Sequence, residues 1–174
     1  MNHKFNIMKS ITFVFLLLFL GSCLSFSQDE LTVSSEKTVR ELYSLVTFEA
    51  GDIPDWDEVR SLFIGEAVVV LRTTRDSCTV FSLDGFIGDF VSFAEHPNVQ
   101  SAGFSETILK MKTLEFGDMA NILVLYEAHI TGSERPPQQG IDNFSLIKRN
   151  DGWRIISVTN EIVTPDRPVP GELQ

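Results

Sequence analysis

The sequence predicts an α+β domain in which three N-terminal helices pack on a strongly curved, mainly antiparallel sheet. Two patterns lead to this fold class. Apolar residues recur at helical spacing between Val33 and Phe93, whereas after His96-Pro97 they alternate as in β-strands. The chain has 174 residues, of which 43% are hydrophobic. That length and composition suit one domain with a packed core.

The first helix is predicted over Val33–Phe48 and ends before Gly51 and Pro54. A second, short helix begins after Asp55, whose carboxylate is a preferred N-cap. Ser82 is predicted to cap the third helix. That helix carries three rings at i, i+4 and i+7 on one side: Phe86, Phe90 and Phe93.

Strands are predicted where β-branched runs or alternating patterns occur. They are Ala67–Leu71, Phe104–Phe116, Ala120–Ile130, Asp142–Leu146 and Trp153–Val163. A turn at Gly117-Asp118 joins the two longest strands. Residues 132–140 are predicted to form a loop, and residues 165–174, with three prolines, an extended tail.

Residues 1–27 have the pattern of a secretory signal peptide. Lys4 and Lys9 precede the apolar run of residues 11–20, and small residues follow it up to Ser27. The apolar run is shorter than the roughly 20 residues of a membrane-spanning helix. We therefore expect an exported protein, with its folded domain over residues 28–164.

Two processing routes are open. Ser25 and Ser27 suit cleavage before Gln28, which would give a periplasmic or secreted protein. Alternatively, Leu20-Gly21-Ser22-Cys23 resembles a bacterial lipobox, and lipid on Cys23 would anchor the chain in the bacterial envelope. We expect contact with a membrane only if Cys23 carries this lipid anchor.

Composition excludes several partners and cofactors. The formal net charge of -10 repels phosphate backbones, so nucleic acid is not expected as a partner. There is no glycine-rich phosphate loop, and His96 and His129 have no second ligand at metal spacing, so no metal or cofactor is predicted. Beside Cys23 the chain has only Cys78, which we interpret as a small packing residue.

Several short motifs, in this order and at this spacing, are similar to the nuclear-transport-factor-2-like superfamily. They are Tyr43 with Ala50-Gly51-Asp52, Val59–Phe63 entering a strand, Phe116-Gly117-Asp118 with Ala120, Gly140–Phe144, and Gly152–Ile155. The resemblance covers Val33–Val163. It implies the cystatin-like cone fold shared with SnoaL-like cyclases and ketosteroid isomerase, in which helices close over the concave side of the sheet and leave an apolar pocket.

Carried over by position, the resemblance to ketosteroid isomerase implies two hydrogen-bond donors to a developing oxyanion. These are Tyr43 on the first helix and Asp142 on a late strand. The position of the general base is occupied by Leu71, which cannot accept a proton, so we do not expect the same isomerisation. Glu106 is either a replacement base or a glutamate that faces water.

The resemblance also implies pocket-lining residues: Trp56, Leu71, Phe86, Phe90, Tyr126 and Phe144. Three functions follow, in order of preference. The first is binding of a small apolar or amphipathic molecule. The second is a SnoaL-like or isomerase-type enzyme that uses Tyr43 and Asp142. The third is a homodimeric interaction protein that associates through the outer sheet face near Leu123 and Leu125.

Overall fold

The computed structural model describes residues 34–174, so the predicted signal peptide and the lipidation candidate Cys23 lie outside the described residues. This part has four α-helices: α1 Ser35–Leu45, α2 Trp56–Ser61, α3 Leu83–Ala94 and α4 Pro97–Gln100. A 3₁₀ turn at Gly171–Leu173 ends the chain. Within residues 34–174 no helix combines the length and the hydropathy that crossing a bilayer requires.

Seven strands form one sheet. They are β1 Phe48–Glu49, β2 Phe63–Thr74, β3 Ser77–Ser82, β4 Gly103–Phe116, β5 Met119–Ile130, β6 Gln138–Arg149 and β7 Gly152–Ile162. Their spatial order is β1-β4-β5-β6-β7-β2-β3. β2 pairs with β7 in parallel, and the other neighbouring pairs are antiparallel. The predicted α+β class and the mainly antiparallel sheet are confirmed.

Local sequence signals explain the three longer helices. Ser34 caps α1, Asp55 caps α2 and Ser82 caps α3, and each side chain accepts hydrogen bonds from backbone N–H groups of the first turn. The caps at Asp55 and Ser82 were predicted. The fourth helix, Pro97–Gln100, lies where extended chain was expected, because proline at the first helical position is compatible with a short turn of helix.

The main core lies between the helices and one face of the sheet. The side chains of Val39, Ile122, Phe144, Leu146 and Ile155 are each at most 1% exposed. In β5 alternate residues from Ala120 to Tyr126 point into this core, as the period-two pattern predicts. Among these inward-facing residues Tyr126 carries a polar hydroxyl group, which the alternation places on the same face as the core.

Two predictions about the edge strand β3 are wrong. Strand β3 was missed, and Cys78 within it is exposed rather than a packing residue. Both errors have one cause: β3 is an edge strand whose residues are nearly all exposed, so it lacks the alternation that marks a half-buried strand. The predicted loop of residues 132–140 is also shorter, since β6 begins at Gln138.

The C-terminal tail is not simply extended. Leu173 is only 1% exposed, and the Lys110 Nζ on β4 donates a hydrogen bond to the backbone carbonyl of Gln174. The tail thus folds back against β4. Leu125 lies on the sheet face predicted for dimerisation, yet it is already buried within a single chain, where only 7% of it is exposed. Association through that face stays a prediction.

Candidate binding site

A cavity of about 300 Å³ lies between α1, α3 and the inner face of the sheet. Most of its lining side chains are apolar: Leu42, Val46, Phe63, Val69, Leu71, Phe86, Phe90, Phe93, Phe104, Phe144 and Val158. Six are polar: Tyr43, Asp89, Glu106, Tyr126, Asp142 and Asn160. The cavity therefore has aromatic and aliphatic walls and a small set of polar groups.

Five of the six residues predicted to line a pocket lie around this cavity: Leu71, Phe86, Phe90, Tyr126 and Phe144. Trp56 does not. Its ring packs against Phe90, with 5.6 Å between the ring centroids. Because α2 places Trp56 against a ring that itself lines the cavity, Trp56 supports the wall and does not form it.

Tyr43 and Asp142, predicted from distant parts of the sequence, meet inside the cavity. The Tyr43 Oη donates a hydrogen bond to the Asp142 Oδ2 at 2.6 Å. Asn160, the cross-strand partner of Asp142, donates from its Nδ2 to the Asp142 Oδ1 at 2.8 Å and to the Tyr126 Oη at 2.8 Å. Four side chains from α1, β5, β6 and β7 thus form one connected network.

The direction of these hydrogen bonds decides what the network can do. Asp142 accepts one bond at each carboxylate oxygen, which favours its ionised form. The phenol hydrogen of Tyr43 points at Asp142 and not at the cavity. The Tyr126 Oη accepts from Asn160, so its own hydrogen is available to a ligand. In this arrangement Tyr126 is the better-placed donor.

The pKa values of these groups follow from their burial. Burial raises the pKa of Asp142 to about 6, although the hydrogen bonds from Tyr43 and Asn160 oppose that rise. Burial, followed by the nearby Asp142 charge, raises the pKa of both Tyr43 and Tyr126 above the ordinary phenol range. Both phenols therefore stay protonated at physiological pH.

Glu106 on β4 contributes a second carboxyl group to the cavity. Burial, followed by the neighbouring charge of Asp142, raises its pKa to about 8. Among the hydrogen bonds and ion pairs of residues 34–174, none involves the Glu106 carboxyl. Of the two roles that the sequence left open for Glu106, the structure favours a cavity carboxyl over a glutamate that faces water.

Leu71 also lines the cavity, from β2. The position to which the resemblance assigns the general base is therefore apolar, and the carboxyl without a protein partner comes from β4. The histidines His96 and His129 do not line the cavity. In the described part of the chain, no group of three or more His, Cys, Asp or Glu side chains is arranged to hold a metal ion.

Three residues that line or support the site were given no functional role from the sequence. Asn160 could have been found from register, because it lies directly opposite Asp142 on the neighbouring strand. Gly140 lies opposite Tyr126, and a Cβ on Gly140 would be 2.5 Å from the Tyr126 Cζ, so the missing side chain makes room for the ring. Asp89, exposed on α3, carried no signal that separates it from other surface carboxylates.

Comparison with known proteins places the fold. No family model matches the chain, and no curated protein matches it. Solved structures do. A protein of unknown function from Silicibacter pomeroyi, described as NTF-2 like, is 19% identical with a TM-score of 0.51, over 73% of this chain and 91% of that chain.

Two further structures have names that suggest an activity. A putative dehydratase from the NTF2-like family of Streptomyces avermitilis is 13% identical with a TM-score of 0.58, covering 76% of this chain and 96% of that chain. A putative ketosteroid isomerase from Shewanella frigidimarina is 13% identical with a TM-score of 0.52, over 71% and 91% respectively.

These likenesses, together with the order of helices and strands, define the class of fold. The chain has the fold of the nuclear-transport-factor-2-like superfamily, as its sequence motifs indicated. At such low identity the likeness establishes the fold alone, and function has to be argued from the cavity.

Proposed function

We propose that this protein is exported and binds one small, largely apolar molecule in the cavity. The observation that carries the proposal is the cavity itself: about 300 Å³, with mostly apolar walls and a few convergent polar groups. Small-molecule pockets span roughly 300–1,000 Å³ and have this kind of lining. The ligand would place its apolar body among the phenylalanines and a polar group near Tyr126 and Glu106.

The cavity is partly open to solvent, so a ligand can enter it. The residues that border it are otherwise well packed, with Phe144 and Val69 each 1% exposed. An ordered apolar wall with an opening to solvent is the usual form of a small-molecule site.

Filling the cavity should abolish binding. We expect Leu71→Trp to weaken the binding of N-phenyl-1-naphthylamine, an apolar fluorescent probe that is uncharged at neutral pH, by at least about tenfold. The indole would occupy the ligand's space from β2. The measurement is a fluorescence titration at pH 7, with the fold of each variant checked by circular dichroism.

Val80→Trp is the matched control, because Val80 is 62% exposed on the adjacent strand β3 and does not line the cavity. It should leave the affinity unchanged within about a factor of two, or 0.4 kcal/mol. Equal probe affinity in the wild type and the Leu71→Trp variant would show that the probe binds elsewhere and would remove the support for a cavity ligand.

Proton-transfer catalysis is a second candidate function, favoured by the free carboxyl of Glu106 in the same cavity as a phenol donor. In its ionised form, which predominates above its pKa of about 8, Glu106 would take a proton from a carbon next to a ligand carbonyl. The electron pair of that C–H bond would form the enolate, and the Tyr126 hydroxyl would donate a hydrogen bond to its oxygen. Return of the proton to another carbon would complete an isomerisation.

Hydrogen exchange would detect this chemistry without knowledge of the natural substrate. Cyclic β,γ-unsaturated ketones incubated with the protein in D₂O should gain deuterium next to the carbonyl, as followed by NMR. Glu106→Gln should slow the exchange by at least about 100-fold. Glu66→Gln, at an exposed position on β2, should not. Exchange no faster than in buffer, or equal in wild type and Glu106→Gln, would count against an enzyme of this type.

A further inference from the structure

We infer that the ligand is an organic cation: an apolar or aromatic body that carries a protonated amine. The inference rests on the proposed binding function and adds the chemical class of the ligand. It depends on three features of the cavity, which are the sign of its ionisable groups, the Glu106 carboxyl without a protein partner, and the aromatic rings in the lining.

All the ionisable groups of the lining are acids. Three are carboxyl groups, one each from α3, β4 and β6, namely Asp89, Glu106 and Asp142, and the other two are the phenols of Tyr43 and Tyr126. Among the described residues that line the cavity there is no lysine, arginine or histidine. An anionic ligand would be repelled by this lining, whereas a cation would be attracted.

The Glu106 carboxyl has no hydrogen-bond donor or counter-charge among residues 34–174, and a ligand could supply one. Asp142 is stabilised by Tyr43 and Asn160, but within residues 34–174 nothing donates to the Glu106 carboxyl. The Glu106 side chain is partly buried, and its carboxylate has no donor among these residues. An ammonium group offers both a charge and up to three N–H donors. Because no three acidic or imidazole groups here are arranged to hold a metal, an organic cation suits the site better than an inorganic one.

Aromatic rings provide a second source of attraction for a cation. Phe90 and Phe104 are 5.9 Å apart between ring centroids, and Phe93 and Phe104 are 5.0 Å apart, so the helix α3 side of the cavity is a cluster of phenyl groups. Ammonium groups bind over aromatic faces, and an apolar body is stabilised by the same rings. Asp89 on α3 is exposed and adds negative charge at the same side.

The inference makes a prediction about protons. At pH 7 Glu106, with its pKa raised to about 8 by burial and by Asp142, is mostly protonated. Asp89, Asp142, Tyr43 and Tyr126 are the other titratable groups of the lining, and none is basic. An ammonium ligand favours the ionised carboxylate, so its binding should release a proton near pH 7 and should strengthen as pH rises toward 9.

The test compares ligands that share one body and differ in the head group: 2-phenylethylamine, 2-phenylethanol and phenylacetate, with the corresponding heptyl series. Calorimetric titrations at pH 6, 7 and 8.5, in buffers of different ionisation enthalpy, give affinity and proton release together. We expect the amines to bind at least about tenfold more tightly than the alcohols at pH 8.5, and the carboxylates not to bind. Glu106→Gln should remove the proton release, whereas Glu66→Gln should not.

The outcomes separate the two proposals. If alcohols and amines bind equally and Leu71→Trp abolishes both, the cavity is a binding site but its ligand is not selected as a cation, and this inference is wrong. If the carboxylates bind best, it is also wrong. If no member of either series binds and the neutral fluorescent probe does not bind either, the proposed function falls together with it.

Discussion

Replacing Gly140 with alanine should destabilise the protein by about 1–3 kcal/mol, the usual cost of overpacking a well-packed site. Gly140 lies on β6 directly opposite Tyr126 on β5. A Cβ at this position would lie 2.5 Å from the Tyr126 Cζ and 2.7 Å from its Cε1. Neither strand can move without loss of the ladder, so the phenol has to leave and its hydrogen bond with Asn160 is lost. Urea unfolding followed by fluorescence would measure the change.

Two comparisons make this result specific. Gly88→Ala on α3 has no heavy atom within 4 Å of the added Cβ, and it should instead stabilise the protein by about 0.5–1 kcal/mol through helix propensity. In a Tyr126→Leu background Gly140→Ala should cost much less than in the wild type, because the ring that it displaces is absent. Equal costs in both backgrounds would show that the Tyr126 ring does not depend on Gly140.

The central part of the fold was predictable because its sequence patterns report burial directly. Alternation in β5 and β6 arises from side chains that face the main core. The i, i+4, i+7 spacing in α3 arises from rings that pack on this core and on a smaller cluster beside it. The edge strand β3 and the tail were not predictable in this way. Nearly every residue of β3 is exposed, and the burial of Leu173 depends on a long-range contact with β4 that no local pattern encodes.

Only part of the site was predictable from the sequence. Tyr43 and Asp142 were found through a family resemblance, but their hydrogen bond to each other, which leaves Tyr126 as the free donor, depends on side-chain rotamers. Glu106 was recognised only as an alternative. Its orientation toward the cavity follows from the register of β4 against β5, where Glu106 pairs with Ala128 and Ile108 with Tyr126. An irregularity after Ile108 moves the inward face to Met111, so the alternation is not continuous along Phe104–Phe116 and does not by itself identify the inner face.

Glu106→Gln should make the protein more stable than the wild type at high pH. The wild-type pKa of Glu106 is about 8 in the folded chain against 4.5 for the ordinary group, so the folded chain holds this proton more tightly than the unfolded chain. The stability due to that proton is present in full below about pH 4.5 and is lost as pH rises to about 8. Glutamine cannot ionise and avoids the loss.

We expect the variant to gain about 1–4 kcal/mol over the wild type between pH 5 and pH 9, since one pKa unit is worth about 1.4 kcal/mol and water in the cavity screens part of the effect. Unfolding by urea at pH 5, 7 and 9 would measure it. The pKa of Asp142 is also raised, to about 6, so both proteins lose a smaller amount of stability as pH rises toward that value. Glu66→Gln should follow the wild-type curve, and identical curves for the wild type and Glu106→Gln would show that Glu106 is not desolvated.

A cationic ligand should offset this loss of stability at high pH more in the wild type than in Glu106→Gln. The loss of stability at pH 9 comes from a carboxylate that has neither a donor nor a counter-charge, and a bound ammonium group supplies both. At saturating 2-phenylethylamine the wild type should therefore regain at pH 9 much of the stability that it has at pH 5, while Glu106→Gln should gain less. A stabilisation by the amine that is equal in the two proteins at pH 9 would show that the ammonium group does not pair with Glu106.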